Sequence, residues 1–218
     1  MRYEPEIGSR TRAWCHDGIE IKNLSLQNPQ KIGTDAWGRQ KEQPLLVSVA
    51  VSFRDSFDSA ATIDALDGST MHYGLLAKSI RGLKTSKNWE SLQDFAIRIH
   101  QAIECGASGQ DLIEACQVEV RLPKASLLGS GVSYYQSVHH SKTLQSRVNR
   151  VLYLDSINIP VLIGVNANER TAKQPLILQL WVSGLGISST DKYAALERQL
   201  YDVSEVYFFD HRCLFSYI

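Results

Sequence analysis

The sequence repeats part of itself, and this repeat constrains the fold more than any other feature. Residues 32–45 read Ile-Gly-Thr-Asp-Ala-Trp-Gly-Arg-Gln-Lys-Glu-Gln-Pro-Leu, and residues 163–176 read Ile-Gly-Val-Asn-Ala-Asn-Glu-Arg-Thr-Ala-Lys-Gln-Pro-Leu. Aligned without a gap, both stretches place Ile-Gly at the start, Arg in the middle and Gln-Pro-Leu at the end. Such an internal copy indicates one structural unit followed by at least part of a second.

The residues on either side of the two stretches alternate between apolar and polar side chains, which is typical of half-buried strands. They span residues 18–26 and 45–53 around the first stretch, and residues 151–159 and 176–182 around the second. Each unit therefore begins with a hairpin, in which two strands are joined by a polar loop long enough to carry functional side chains.

The pattern of the rest of the first unit predicts a surface connection at residues 56–68 and two helices at residues 75–83 and 89–103. Two more strands are predicted at residues 116–122 and 132–138. The longer helix places five apolar side chains on one face: Leu92, Phe95, Ala96, Ile99 and Ile103. The order strand, strand, helix, helix, strand, strand predicts an α+β fold. Its antiparallel four-stranded sheet is expected to carry both helices on one face.

The domain organisation follows from this pattern and from the length of the chain. Residues 1–17 are interpreted as an N-terminal arm, residues 18–138 as the first unit and residues 139–149 as a polar linker. Residues 150–218 hold a partial second unit, because they have room for a hairpin and a helix but not for the remaining strands. The end of this unit is rich in aromatic residues, so we expect the first unit or another chain to cover it.

The charge balance and the positions of histidine and cysteine argue against several kinds of partner. Lys plus Arg and Asp plus Glu are 23 each, so the net charge of zero offers no basic field for a nucleic acid or an anionic membrane. The sequence shows neither an apolar run long enough to span a membrane nor the apolar core of a secretory signal, which predicts a cytoplasmic protein. The cysteines have no C-x-x-C spacing, and adjacent His139 and His140 point to opposite faces of a strand, so no metal site is expected.

Three motifs together resemble the dihydroneopterin aldolase family: the Ile-Gly loop with Glu-Arg and Gln-Pro, the Tyr-Gly pair that opens the first helix, and Pro-Lys-Ala after the third strand. The loop at residues 35–39 is similar to the first of two tandem aldolase-like domains at the start of fungal folate-synthesis proteins. The resemblance covers residues 18–138 fully and residues 150–200 in part. It implies the tunnelling fold, in which sheets of several subunits join into a barrel with active sites between neighbours, and hence a homo-oligomer.

The resemblance also implies a chemistry, which is a retro-aldol cleavage that needs no cofactor and no Schiff base. In this family a lysine and a tyrosine move protons, and a glutamate in the hairpin loop helps to place the reacting side chain. A second glutamate on the long helix anchors the pterin, because a carboxylate accepts hydrogen bonds from two adjacent N–H groups.

The residues that match the proton-transfer and loop positions differ between the two units. The family tyrosine corresponds to Tyr73 in the first unit and to Tyr193 in the second. The loop glutamate is replaced by Gly38 in the first unit and is kept as Glu169 in the second. A composite site of Tyr73 and Glu169 across the interface between units is therefore expected.

The two remaining positions have lost their charge. The anchoring glutamate aligns with Gln93, whose neutral amide faces two pterin donors poorly, and the catalytic lysine aligns with Leu122. Lys124 follows two residues later, beyond the turn at Pro123. The candidate catalytic residues are therefore Tyr73, Glu169 and Lys124, and the candidate substrate contacts are Gln93, Trp37, Leu122 and Tyr193.

Three functions agree with this pattern. The first is a cofactor-independent acid/base enzyme repurposed for a planar heterocyclic or phenolic small molecule, as a cyclase, isomerase or lyase of fungal secondary metabolism. The second is a true 7,8-dihydroneopterin aldolase of folate biosynthesis, against which Gln93 and Leu122 argue. The third is a noncatalytic binding subunit, which needs neither a base nor an anchor.

Overall fold

The structure is a computed structural model that describes residues 17–26, 29–83, 89–107, 112–141, 145–164, 166, 168, 171–184 and 191–209, the last five by their backbone alone. The predicted arm, apart from Asp17, and the end of the aromatic tail lie outside this range. The strands are β1 (Gly18–Ser25), β2 (Leu46–Phe53), β3 (Ile113–Leu122), β4 (Val132–His139), β5 (Arg147–Val161) and β6 (Gln174–Ser183). The helices are α1 (Asp58–Ile63), α2 (Tyr73–Arg81), α3 (Leu92–Gly106) and α4 (Tyr193–Phe209).

These strands form one antiparallel sheet in the order β1-β2-β3-β4-β5-β6. The predicted α+β class and antiparallel pairing are confirmed, but the prediction of four strands was wrong, because this sheet has six. The two extra strands join through β4, which pairs with β5 from Val132 opposite Leu154 to His139 opposite Arg147. The second hairpin, β5–β6, therefore extends the sheet of the first unit. Residues 147–149, predicted as the end of a linker, are strand and pair with β4.

The apolar core lies between this sheet and helices α2 and α3. The predicted face of α3 is fully buried, since Leu92, Phe95, Ala96, Ile99 and Ile103 are all 0% exposed. Burying a large apolar side chain contributes about 1.5–3 kcal/mol, so this face stabilises the packing of α3 on the sheet. The helix begins where Ser91 Oγ accepts a hydrogen bond from the Asp94 N–H at 3.0 Å. In the part of the chain that the structure describes, no helix is both long and apolar enough to cross a lipid bilayer.

Helix α1 lies in the stretch that was predicted to be a surface connection. It has six residues and none of them is buried, so it lacks the apolar periodicity by which a longer helix is detected.

The two hairpins share structural details as well as sequence. The register of β1 shifts between Ile21 and Leu24, where Asn23 has a φ of 51°, and the register of β5 shifts between Leu154 and Ile157, where Ser156 has a φ of 52°. The glutamine of each Gln-Pro-Leu segment donates its amide to the isoleucine carbonyl at the start of the same loop. These bonds join Gln43 to Ile32 at 3.3 Å and Gln174 to Ile163 at 3.2 Å. The details support a second partial copy, which stays a prediction.

Candidate active site

The turn at Gly33, in the loop of the first hairpin, is the point where three parts of the chain meet. The Gly33 N–H donates to the Glu90 carbonyl at 3.0 Å, and the Gly33 carbonyl accepts a hydrogen bond from the Trp89 indole. With a φ of 63°, a Cβ at this position would lie 2.8 Å from both Leu122 Cδ1 and the Tyr193 hydroxyl oxygen. Glycine is therefore required here by backbone conformation and by space.

The Tyr193 side chain, at the first residue of α4, is 0% exposed. Its hydroxyl accepts a hydrogen bond from the Thr34 N–H and donates one to the Thr34 carbonyl. Burial raises the pKa of this hydroxyl above its ordinary value of 10, and the hydrogen bonds to Thr34 offset only part of that effect. The hydroxyl is therefore protonated at neutral pH, and it can move a proton only after it leaves Thr34.

Asp191 connects the start of α4 to the start of α3. Its carboxylate accepts a hydrogen bond from the Leu92 N–H at 3.2 Å, and its carbonyl accepts one from Thr34 Oγ1 at 3.4 Å. Because the first N–H groups of a helix have no partner within the helix, a carboxylate there satisfies a donor and interacts favourably with the helix dipole.

Glu197 makes a second connection between α4 and the first unit. Its side chain is 3% exposed, and it accepts hydrogen bonds from Ser126 Oγ at 2.6 Å, the Leu128 N–H at 2.7 Å and the Leu127 N–H at 3.2 Å. A buried carboxylate is stable only when such donors replace water. Glu197 therefore fixes α4 to the loop that follows the Pro-Lys-Ala motif.

Leu122 and Gln93, the predicted counterparts of two charged family residues, lie inside the first unit. Leu122, at the end of β3, is 0% exposed and contacts the Gly33 turn as described above. Gln93, in the first turn of α3, is 1% exposed, and its Oε1 has no hydrogen-bond partner among the described residues. Lys124 lies in the turn after β3 and is exposed.

The other predicted site residues are exposed or lie outside the described residues. Tyr73, at the start of α2, is 67% exposed, and Trp37 is 58% exposed. The Arg39 guanidinium lies 5.3 Å from the Trp37 ring centre and is held there by the Asp35 carboxylate at 2.8 Å. Glu169 is outside the described residues, so its pairing with Tyr73 stays a prediction. The structure thus brings together Leu122 and Tyr193, not Tyr73 and Trp37.

A sequence model of the dihydroneopterin aldolase family (FolB) matches residues 19–136, which is just over half of the 218 residues. The chain belongs to the dihydroneopterin aldolase family. The family match covers the first hairpin, both long helices of the first unit and strands β3 and most of β4.

Individual proteins are similar to this chain. The folic acid synthesis protein fol1 of Pneumocystis carinii is 22% identical over 168 residues, which cover 76% of this chain and 21% of that protein. The chain thus spans about a fifth of the length of this relative. The Escherichia coli dihydroneopterin aldolase, in complex with neopterin, is 16% identical with a TM-score of 0.45 over 56% of this chain and 97% of that chain.

A urate oxidase from Bacillus sp. TB-90 has a fold that matches more of this chain. It is 11% identical with a TM-score of 0.53, over 82% of this chain and 71% of that chain. At this identity the likeness shows the fold alone.

The residues that hold Tyr193 and α4 in place were not predicted from the sequence. They are Thr34, Asp191 and Glu197, and the sequence contains a signal for the last two. Asp191 lies just before the helix and Glu197 lies one turn after Tyr193, so a carboxylate shares the helix face of the tyrosine. What that face contacts could not be derived, because Thr34 and Tyr193 are 159 residues apart.

Proposed function

We propose that this family member is a cofactor-independent acid/base enzyme whose substrate is a planar heterocyclic or phenolic molecule other than 7,8-dihydroneopterin. The reaction is a cyclisation, isomerisation or lyase step of the kind found in fungal secondary metabolism. The observation that carries the proposal is Leu122, which is fully buried at the position of the family lysine. A leucine cannot take up or release a proton, and loss of a positioned proton-transfer group costs about 10²-fold or more in rate.

The acid and base groups of this proposal are Tyr73, Glu169 and Lys124. The Tyr193 hydroxyl is already bound to Thr34, whereas Tyr73 is 67% exposed and accessible to a ligand. Lys124 is exposed as well, in the turn after β3. Gln93, Trp37, Leu122 and Tyr193 are the proposed substrate contacts, with Leu122 supplying an apolar wall.

A homo-oligomer is part of the proposal, because it would complete the site that contains Tyr73. Tyr193 opens α4 and meets the Ile-Gly turn of the first hairpin at Gly33. Tyr73 opens α2 in the same way, and the corresponding turn of the second hairpin, at Gly164, is exposed. If Tyr73 contacts Gly164 of a second copy, the contact between the two chains repeats the contact of Tyr193 with Gly33. Glu169 lies in the same loop as Gly164, so it would be near this contact.

The folate-synthesis relative and the family assignment favour a second candidate function, a true 7,8-dihydroneopterin aldolase. Release of glycolaldehyde from 7,8-dihydroneopterin distinguishes the two. A noncatalytic binding subunit would bind a heterocycle without converting it.

The site itself is tested by assaying the purified protein against planar heterocycles and phenols, followed by Tyr73→Phe and Glu169→Gln variants on whichever compound is converted. We expect each variant to lose most of the activity while the protein stays folded. Full activity in both variants would show that the proposed acid/base residues are wrong.

A further inference from the structure

A groove between α2 and α3 forms a cavity of about 310 Å³. This volume lies at the low end of the range of about 300–1,000 Å³ in which small-molecule sites fall. The cavity is lined by residues of α2, by those just before it, and by the last turns of α3. No residue of the proposed acid/base site is among its described lining residues, so the function proposed above does not account for it.

Small residues of α3 leave the space for this cavity. Ala102 and Gly106 are four positions apart, so they lie on the same face of the helix. Among the described residues, a Cβ at Gly106 would meet only Met71 Cε, at 4.0 Å. On the side of α2, Leu76 is buried, whereas Leu75 lines the cavity with a side chain that is 61% exposed. The groove is therefore apolar and open to a ligand.

Three polar side chains line the same cavity, those of His72, Lys78 and Ser79. His72 Nδ1 accepts a hydrogen bond from the Gly74 N–H at 3.0 Å, so the proton of the neutral ring lies on Nε2, which is a donor. Within the described part of the chain, the Lys78 ammonium and the Ser79 hydroxyl have no hydrogen-bond or ion-pair partner. None of the described lining residues is acidic. The cavity therefore presents donors and a positive charge to its occupant.

The cavity is remote from the Gly33 turn. Helix α3 meets that turn at its first residue, Leu92, and lines the cavity at its last residue, Gly106. The helix has 15 residues and is therefore about 20 Å long. A ligand in the groove would thus bind at the opposite end of α3 from the contacts of Leu122 and Tyr193.

We propose that this groove binds a small apolar carboxylate, such as an aromatic acid. The apolar body lies against Leu75 and the face of Ala102 and Gly106, where it removes exposed apolar surface from water. The carboxylate lies beside Lys78, and the remaining donors of the cavity are available to its oxygens, which only accept hydrogen bonds. One lysine matches the single charge of such a ligand. The inference goes beyond the proposed function and does not rest on it.

The test compares two probes of the same size and shape, 2-naphthoate and its neutral amide, 2-naphthamide. Dissociation constants of both are measured by isothermal titration calorimetry for the full chain and for three variants. Lys78→Gln removes the charge, and Ala102→Leu fills the groove. Arg81→Gln is the matched control, because Arg81 is an exposed cation in the last turn of α2 and is not among the described lining residues.

We expect the wild-type chain to bind 2-naphthoate about fivefold more tightly than the amide, because Lys78 is exposed and exposed ion pairs are weak. High salt and Lys78→Gln should each abolish this preference, and Arg81→Gln should keep it. Ala102→Leu should weaken the binding of both probes about tenfold or more. Circular dichroism establishes that each variant is folded. If Ala102→Leu does not fold, Lys78→Gln and the salt dependence decide the question.

Four outcomes would overturn the inference. If the wild-type chain binds neither probe in the millimolar range, the groove is not a site for apolar acids. Equal affinity for the two probes would show that no carboxylate is recognised. Binding that is unchanged in both Lys78→Gln and Ala102→Leu would place the probe elsewhere on the protein. If the chain instead self-associates and Ala102→Leu abolishes this, the groove is a contact between copies of the chain.

Discussion

A single hydroxyl, that of Tyr193, holds the start of α4 against the first hairpin. It is completely buried and hydrogen-bonds both the N–H and the carbonyl of Thr34. Tyr193→Phe keeps the ring but leaves both backbone groups without this partner, so we expect the free energy of unfolding to fall by about 1–3 kcal/mol. Urea unfolding measures this, with Tyr73→Phe as the control, since exposed Tyr73 should stay within about 0.5 kcal/mol of the wild type. Equal effects of the two variants would contradict the role of the Tyr193 hydroxyl.

His100 gives the stability a dependence on pH. Burial lowers the pKa of this imidazole from 6.5 to about 4, while a hydrogen bond to the Gln136 carbonyl and the charge of His140 have smaller effects. Because the folded state favours neutral His100, its contribution to stability is fully present above pH 6.5 and is lost as the pH falls towards 4. The expected loss is of the order of 3 kcal/mol.

Urea unfolding at a series of pH values between 7 and 4 checks this dependence on His100. A His100→Gln variant should flatten the decline, and exposed His139→Gln should not. An unchanged decline in His100→Gln would assign the acid sensitivity to other groups.

An alignment of motifs predicts that Leu122 and Gln93 replace charged family residues, and these assignments stay predictions. The Thr34 partner of Tyr193 could not be predicted, because a tyrosine at the start of a helix has no local feature that specifies a backbone group 159 residues away.

At the scale of secondary structure elements, α4 depends on the carboxylate of Glu197. The three donors of the Ser126–Leu128 loop all point at this one group. In Glu197→Gln, one acceptor oxygen becomes an NH₂ group that faces the backbone N–H of Leu127 or of Leu128. We therefore expect a loss of about 1–3 kcal/mol in unfolding free energy and faster hydrogen exchange along α4.

The control for this prediction is Asp202→Asn, an exposed carboxylate on the same helix. Hydrogen exchange followed by mass spectrometry should show α4 unchanged in this variant. If Glu197→Gln also leaves the exchange of α4 unchanged, the Glu197 carboxylate does not hold the helix.

The elements that could be predicted are those with a strong local period. The face of α3 appears in the sequence as apolar residues at helical spacing, and the cap at Ser91 agrees with it. Helix α1 was missed because its six residues, none of which is buried, carry no such period.

At the scale of the whole molecule, the pairing of β4 with β5 turns two hairpins and two long helices into one structure. This pairing could not be predicted, because an alternating strand pattern indicates which face is buried and does not indicate the partner strand. A linker was expected at residues 139–149, where the sequence is polar, yet residues 147–149 complete the ladder. The repeat indicated a second unit, and the structure adds that β5–β6 lies in the same sheet as the first.

We propose that the site of this member of the dihydroneopterin aldolase family is unsuited to the aldolase reaction. Leu122 and Gln93, the predicted counterparts of the proton-transferring lysine and the anchoring carboxylate, are both buried and uncharged. The most direct measurement is the rate of glycolaldehyde release from 7,8-dihydroneopterin by the purified chain, with an active aldolase of the family assayed in parallel. We expect a rate at least about 10²-fold below that of the active aldolase. A comparable rate would contradict the account.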